Sequence, residues 1–109
     1  MKSLKILKLI KKALKKEEQK NDSHWEIGEN YLIRTVTMID LGKLEKVTDN
    51  ELVLSNASWI PDTGRFNQML KEGDFKEVEM FNKKNVMIIN RKSIIDAQKV
   101  DFPLPTISK

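Results

Sequence analysis

Tyr31-Leu-Ile-Arg-Thr-Val-Thr-Met-Ile39, Gly42-Lys-Leu-Glu-Lys-Val47 and Glu51-Leu-Val-Leu-Ser-Asn-Ala-Ser-Trp-Ile60 decide the fold. In the first stretch Leu32, Arg34, Val36 and Met38 alternate with Ile33, Thr35, Thr37 and Ile39. β-Branched residues at period two specify a strand with two different faces. Asp40-Leu41-Gly42 reads as the turn out of it. Lys43–Val47 is then a second strand, with Leu44 and Val47 apolar. Thr48-Asp49-Asn50 offers residues that tolerate left-handed backbone and forms a tight turn. Glu51–Ile60 is a third strand, with Leu52, Leu54 and Asn56 on one side, and Pro61 ends it.

Downstream the signals are shorter. Gly64 and Gly73 bracket Arg65–Lys71, where Phe66, Met69 and Leu70 stand at helical spacing. Phe75–Phe81 alternates and is a further strand candidate. Val86-Met-Ile-Ile89 is read as a core strand, Asn90-Arg-Lys92 as a turn and Ser93–Val100 as the last strand. Phe102-Pro-Leu-Pro105 is an extended tail that cannot join a central strand. Short strands with tight turns point to a five-stranded, strongly bent small barrel. The expected core is Ile33, Leu44, Val47, Leu52, Leu54, Val86, Ile88 and Ile95.

Upstream of Tyr31 the chain changes character. Residues 1–20 hold eight lysines against Glu17 and Glu18, a net of +6, whereas residues 21–109 hold twelve Lys/Arg against fourteen Asp/Glu, a net of −2. The overall +4 therefore belongs to an arm. On a helical wheel Ile6, Leu7, Leu9, Ile10, Ala13 and Leu14 occupy an arc of about 160°, and six lysines occupy an opposite arc of about 140°. Ser3 can cap the start. The organisation read is a basic amphipathic helix at 1–16, a polar linker at 17–30, a barrel at 31–100 and an extended tail at 101–109. Leu4, Ile6, Leu7, Ile10, Ala13 and Leu14 are the arm's docking residues. Three contacts suit such an arm: the chain's own body or a neighbouring subunit, a partner protein, or an anionic surface of phospholipid or nucleic acid.

Several classes of chemistry find no residues here. The chain has no cysteine, which excludes thiolate catalysis and Cys-ligated metal, and its one histidine, His24, cannot build a histidine cage. No metal site and no cofactor are expected. No apolar run reaches the ~20 residues of a membrane span, and lysines interrupt the N-terminal apolar residues, so no signal peptide is expected. At 109 residues, 39% of them hydrophobic, the chain supports one modest core. The expected compartment is the cytoplasm, or a particle assembled there.

The candidate site is Trp59-Ile-Pro-Asp62-Thr63-Gly64-Arg65-Phe66. Asp62 can cap the short helix. Gly64 permits close backbone approach. Arg65 offers a planar fork for carboxylate or phosphate. Trp59 and Phe66 can flank a flat ligand. The structural alternative is a rigid loop in which Asp62 caps, Arg65 pairs with an acid of the body and the aromatics pack. Arg34 on the first strand is a further ligand candidate, or a solvent-face or subunit-edge residue. His24–Trp25 reads as packing or a cap. Glu77 and Glu79 share a strand face, as paired acid–base groups or as an acidic edge that discourages edge pairing. An enzyme working through Glu77/Glu79 or Asp62 is the remaining class.

Gly42-x-Leu44…Val47-x-Asp49…Leu52-x-Leu54-x-x-Ala57 resembles the first signature of the Sm-like (LSm/Hfq) barrel, and Val86-Met-Ile-Ile-Asn90-Arg-Lys-Ser-Ile94-Ile-Asp-Ala97 is similar to the second. The likeness covers about residues 31–99 and implies an Sm-like or SH3-like barrel behind an N-terminal helix. Leu52-Val53 stands where the Sm turn carries Met-Asn, whose asparagine stacks RNA bases.

A second likeness spans nearly the whole body. Ile33-Arg-Thr-Val-Thr37, Gly42-x-Leu44, Val47-Thr-Asp49, Glu51-Leu-Val-Leu54 and Ala57-x-Trp59-Ile60-x-Asp62-Thr-Gly-Arg-Phe66 are similar to a family of small proteins, without assigned activity, of tailed bacteriophages and prophages. That resemblance implies a phage setting. The resulting expectation is a non-enzymatic accessory or assembly protein, a capsid-associated auxiliary component that binds itself or a phage structural protein. The alternative is a module that sequesters a nucleotide signal or short nucleic acid, countering host defence, with Arg65, Thr63, Trp59 and Arg34 as ligands.

Overall fold

In the computed structural model, residues 24–109 are described. The arm and the first part of the linker, including Leu4, Ile6, Leu7, Ile10, Ala13 and Leu14, lie outside the described residues.

Six antiparallel strands form one sheet: β1 (Asn30–Thr35), β2 (Ile39–Val47), β3 (Glu51–Asp62), β4 (Glu77–Met80), β5 (Met87–Asn90) and β6 (Ile94–Val100). A short helix, α1 (Phe66–Glu72), lies between β3 and β4. The sheet order is β4-β3-β2-β1-β6, and β5 pairs with the first half of β3. A three-residue 3-10 turn, Arg91–Ser93, joins β5 to β6. Its Asn90 side chain accepts from the Lys92 N–H at 3.0 Å. The arrangement has one strand more than expected, because the alternation at Glu77–Met80 does form a strand.

Turn chemistry explains one misplaced boundary. The turn out of β1 is Val36–Met38, and Asp40-Leu41-Gly42 lies inside β2. Thr35 fixes this turn: its Oγ1 accepts from the Met38 N–H and donates to the Met38 carbonyl, each at 3.0 Å. A threonine bridging the backbone three residues on in this way outcompetes the weaker glycine signal at 42. Gly42 is needed for another reason, because a Cβ there would meet Leu54 Cβ at 3.0 Å. Pro61 does not end β3 either. It falls where the β3–β4 register shifts, between the pairs Trp59–Glu79 and Asp62–Glu77, so its missing N–H breaks no ladder bond of that register.

Two bulges bend the long strands. Between the pairs Leu41–Ser58 and Lys43–Ser55, β3 carries one extra residue, and Asn56 there has φ 48°. Left-handed backbone is tolerated by asparagine and absorbs the extra residue. The bulge switches the inward parity of β3. Leu52, Leu54 and Ala57 enter one apolar cluster with Tyr31, Ile33, Leu44 and Ile89. Ile60 enters another with Leu32, Leu41, Met69, Phe75, Val78, Val100 and Phe102. Asn56 therefore does not continue the Leu52–Leu54 face.

The core corrects the expectation at three positions. Ile33, Leu44, Leu52 and Leu54 are fully buried and Val47 is half-buried, but Val86, Ile88 and Ile95 are 52%, 60% and 66% exposed. On β5 it is Ile89 that turns inward, and on β6 Ile95 faces out. The tail is not free. Phe102 packs edge-on against Phe75 at 5.7 Å, and Lys109 exchanges backbone hydrogen bonds with Val78 at 2.8 and 3.2 Å, shielding the edge of β4.

Candidate functional site

Arg34 and Asp96 are direct cross-strand partners on β1 and β6. The guanidinium donates through Nε to Oδ1 at 2.6 Å and through Nη2 to Oδ2, a two-pronged pair. The hydrogen bond with Arg34 holds the Asp96 carboxyl below the usual carboxylate range, and Asp96 pushes Arg34 up in turn. The guanidinium carbon lies 5.1 Å from the centre of the Phe66 ring, which α1 brings over it.

This pair stands at one end of an open groove of about 430 Å³. The Val36–Met38 turn, Trp59 and Pro61 of β3, and Ile95 of β6 line it. Arg34 thus touches Phe66 and shares the groove with Trp59. The groove is predominantly apolar, since Val36 is 72% exposed and stands beside Ile95.

Asp62–Arg65 of the string face elsewhere. Asp62 does not cap α1: its Oδ1 accepts from the Gly64 N–H at 2.9 Å, closing a local turn. The residue at the helix cap position is Arg65, without a side-chain cap. Thr63 Oγ1 donates to the Gly64 carbonyl at 2.8 Å. Gly64 has φ 67°, and a Cβ there would find only Lys76, at 3.8 Å and beyond. Backbone handedness, rather than close approach, is what requires glycine here. Arg65 is exposed, and its side chain makes no hydrogen bond or ion pair among the described residues, so the expected pairing with an acid of the body is not seen. Thr63, Gly64 and Arg65 line a second, separate depression of about 330 Å³ with Lys76 and Lys109.

Trp25 packs, its ring 5.1 Å from that of Tyr31, whose hydroxyl donates to the His24 backbone carbonyl at 2.8 Å, while His24 itself is exposed. Glu77 and Glu79 are exposed on β4, opposite Asp62 and Trp59 respectively.

Two polar residues in the interior went unread. Asp40 is 5% exposed and Ser58 fully buried, and Asp40 Oδ1 and Ser58 Oγ have no hydrogen-bond partner. Burial pushes the Asp40 carboxyl up to about 6. The sequence signal was available: Asp40 interrupts the apolar run Met38-Ile39-Asp40-Leu41, which reads as a turn only if the strand ends at 39.

Among the described residues no group of three His, Cys, Asp or Glu is placed to hold a metal ion, and no helix is long and apolar enough to cross a membrane. No family model, curated protein or solved structure matches the chain.

Proposed function

We propose that the chain is a non-enzymatic accessory or assembly protein of a tailed phage, a capsid-associated auxiliary component that grips neighbouring proteins. In this reading the six strands close into a small Sm-like or SH3-like barrel. The pairings β5 on β3 and β6 on β1, with the 3-10 turn between β5 and β6, support that closure. The observation that carries the function is the apolar surface left on the outer strands. Val36 and Ile95, which both line the groove, are 72% and 66% exposed. Exposed apolar side chains grouped on a groove mark a surface built to be covered by protein. The phage setting rests on the Ala57–Phe66 sequence likeness. The protein works in the host cytoplasm or in the assembled virion. Mass spectrometry of purified particles is the test: a virion component is present at a fixed copy number after density-gradient purification, and absence from the particles would remove this reading.

The nucleotide-binding alternative is favoured by one observation, the unpaired Arg65 beside Lys76 and Lys109. The Arg65 fork suits a phosphate, while Lys76 and Lys109 stand 4.0 and 3.4 Å from the carboxylates of Asp62 and Asp74. Its ligand set would shrink, however, to Thr63 and Arg65, because Arg34 is engaged by Asp96 and Trp59 opens on the other groove. A melting shift with cyclic or linear nucleotides, abolished by Arg65→Ala, would support it.

A further inference from the structure

We infer that the outer edge of β4 is a strand-accepting site that the chain's own tail holds shut, and that an extended, lysine-bearing peptide of a partner protein takes the tail's place there. The site is separate from the groove at Arg34, and its occupant does not depend on a phage setting.

The tail is anchored at one end only. Val100 and Phe102 are buried, and Leu104 packs against the same apolar cluster. Beyond Pro105 every side chain at 106–109 is exposed, Ile107 by 78%. Polar contacts alone hold this end. Lys109 and Val78 exchange backbone hydrogen bonds at 2.8 and 3.2 Å, the Met80 N–H donates to Ser108 Oγ at 3.0 Å, and Lys109 Nζ stands 3.4 Å from Asp74 Oδ1. Hydrogen bonds that water can replace return little more than the entropy of ordering four residues. Residues 106–109 therefore open at small cost while Phe102 stays docked.

The tail is also an imperfect strand. Reciprocal bonds between Lys109 and Val78 make one closely spaced pair of an antiparallel ladder, whose next such pair would join Met80 to Ile107. The Met80 N–H goes to the Ser108 hydroxyl instead. A regular strand presents a backbone carbonyl at that place and gains the ladder bond the tail lacks.

Charge names the occupant. Glu77 and Glu79 are exposed on β4 and line a depression of about 320 Å³ with Pro61, Ser108 and Lys109. When the tail lifts, its ammonium leaves Asp74, and the edge keeps three carboxylates; the neighbouring Lys76 stands 4.0 Å from Asp62. A lysine-bearing strand restores the lost pair, whereas an acidic peptide or a polyanion is repelled. The same glutamates disfavour the β4 edge of a second copy, since antiparallel pairing through Val78 sets Glu77 of one chain opposite Glu79 of the other.

The test uses the full-length chain with two acetylated eight-residue peptides, one alternating threonine with lysine, the other threonine with glutamate. In the wild type the Val78 amide should exchange with deuterium at least about a hundredfold faster than the amides of β3 between β2 and β5. Lys109→Pro removes the N–H given to Val78 and the ammonium at Asp74. This variant should bind the threonine–lysine peptide about tenfold more tightly than the wild type, because the tail no longer competes. The bound peptide should slow exchange at Val78 and Met80, and the threonine–glutamate peptide should do neither. Equal affinity of wild type and variant, equal binding of the two peptides, or a wild-type Val78 amide as protected as β3 would each overturn the inference. Protection of Val78 in the variant without peptide would also overturn it, handing the edge to a second copy if the variant self-associates and to residues 1–20 if it stays monomeric. Should Lys109→Pro unfold, the wild-type exchange rates and its preference between the two peptides decide.

Discussion

The α-carbon of Gly73 lies against the ring of Phe102, so close that a Cβ built there would stand 2.5 Å from Cδ1. Gly73 ends α1 in left-handed backbone, φ 69°, with its N–H on the Met69 carbonyl at 2.8 Å. The helix stop and the docking of the tail are therefore one feature, because the glycine that terminates α1 is also the floor for Phe102. Gly73→Ala meets strain from both causes and should cost roughly 2–4 kcal/mol in urea unfolding. Phe102→Ala removes a buried ring and should cost about 3–5 kcal/mol. The double variant should cost clearly less than the two together, since the clash disappears with the ring. Strict additivity would show that tail and helix stop are independent.

Leu54 and Ile95 should behave oppositely. Leu54 is fully buried between β2 and β5, and Leu54→Ala should lower stability by about 2–5 kcal/mol. Ile88→Ala and Ile95→Ala, at positions at least 60% exposed, should change it by less than about 0.5 kcal/mol. Chemical denaturation of the three variants separates them. A large loss at Ile95 would mean that β6 is covered in the isolated protein.

That contrast also shows what could be read in advance. The strands carried by long β-branched alternation, β1 and β3, were legible, as was α1 from Phe66, Met69 and Leu70. Their ends were not. The turn at Val36–Met38 depends on a hydroxyl of Thr35 bonding backwards, and the Asn56 bulge shifts parity in mid-strand. Neither leaves a mark in the hydrophobic period. For β5 and β6 the apolar runs Val86–Ile89 and Ile94–Ile95 were equally apolar on both sides, so period alone could not say which side was inward. The same ambiguity hides the groove, because the period alone suits Ile95 to the core. The string Trp59–Phe66 was divided by a feature of geometry, the local turn of Asp62 onto Gly64.

Asn56 offers a direct check on the bulge. Asn56→Gly keeps left-handed backbone accessible and should be near neutral, whereas Asn56→Val should cost roughly 1–3 kcal/mol. Equal stabilities of the two variants, measured by thermal unfolding, would remove the bulge from β3.

Asp40 makes stability depend on pH in a stated direction. Its carboxyl is raised from 3.8 to about 6 by burial, so between those values the folded chain binds the proton more tightly than the unfolded chain. Stability therefore falls as pH rises through that window and levels off above it. The amplitude is roughly 1–3 kcal/mol. Asp40→Asn should abolish this fall. A wild-type profile flat between pH 4 and about 6 would show the carboxyl to be better solvated than its position implies.

The arm sets the last contrast, between its two faces. Leu7→Asp with Leu14→Asp places charges among the apolar residues that the sequence groups on one arc, where burial of an unpaired carboxylate would be strongly unfavourable. If the stripe is the contact, this pair abolishes self-association, while glutamine at positions 5, 8, 11, 12, 15 and 16 leaves most of it. If the lysine face is the contact, the order reverses, and association weakens steeply with salt as counterions are released from a polyanion. The two outcomes differ because apolar area buried in a groove is insensitive to ionic strength, whereas exposed charge pairs are screened beyond about 8 Å at 0.15 M salt. Sedimentation velocity of wild-type, aspartate and glutamine chains at low and high salt reads all of this at once. Salt-sensitive association that survives the aspartates would assign the contact to the lysines.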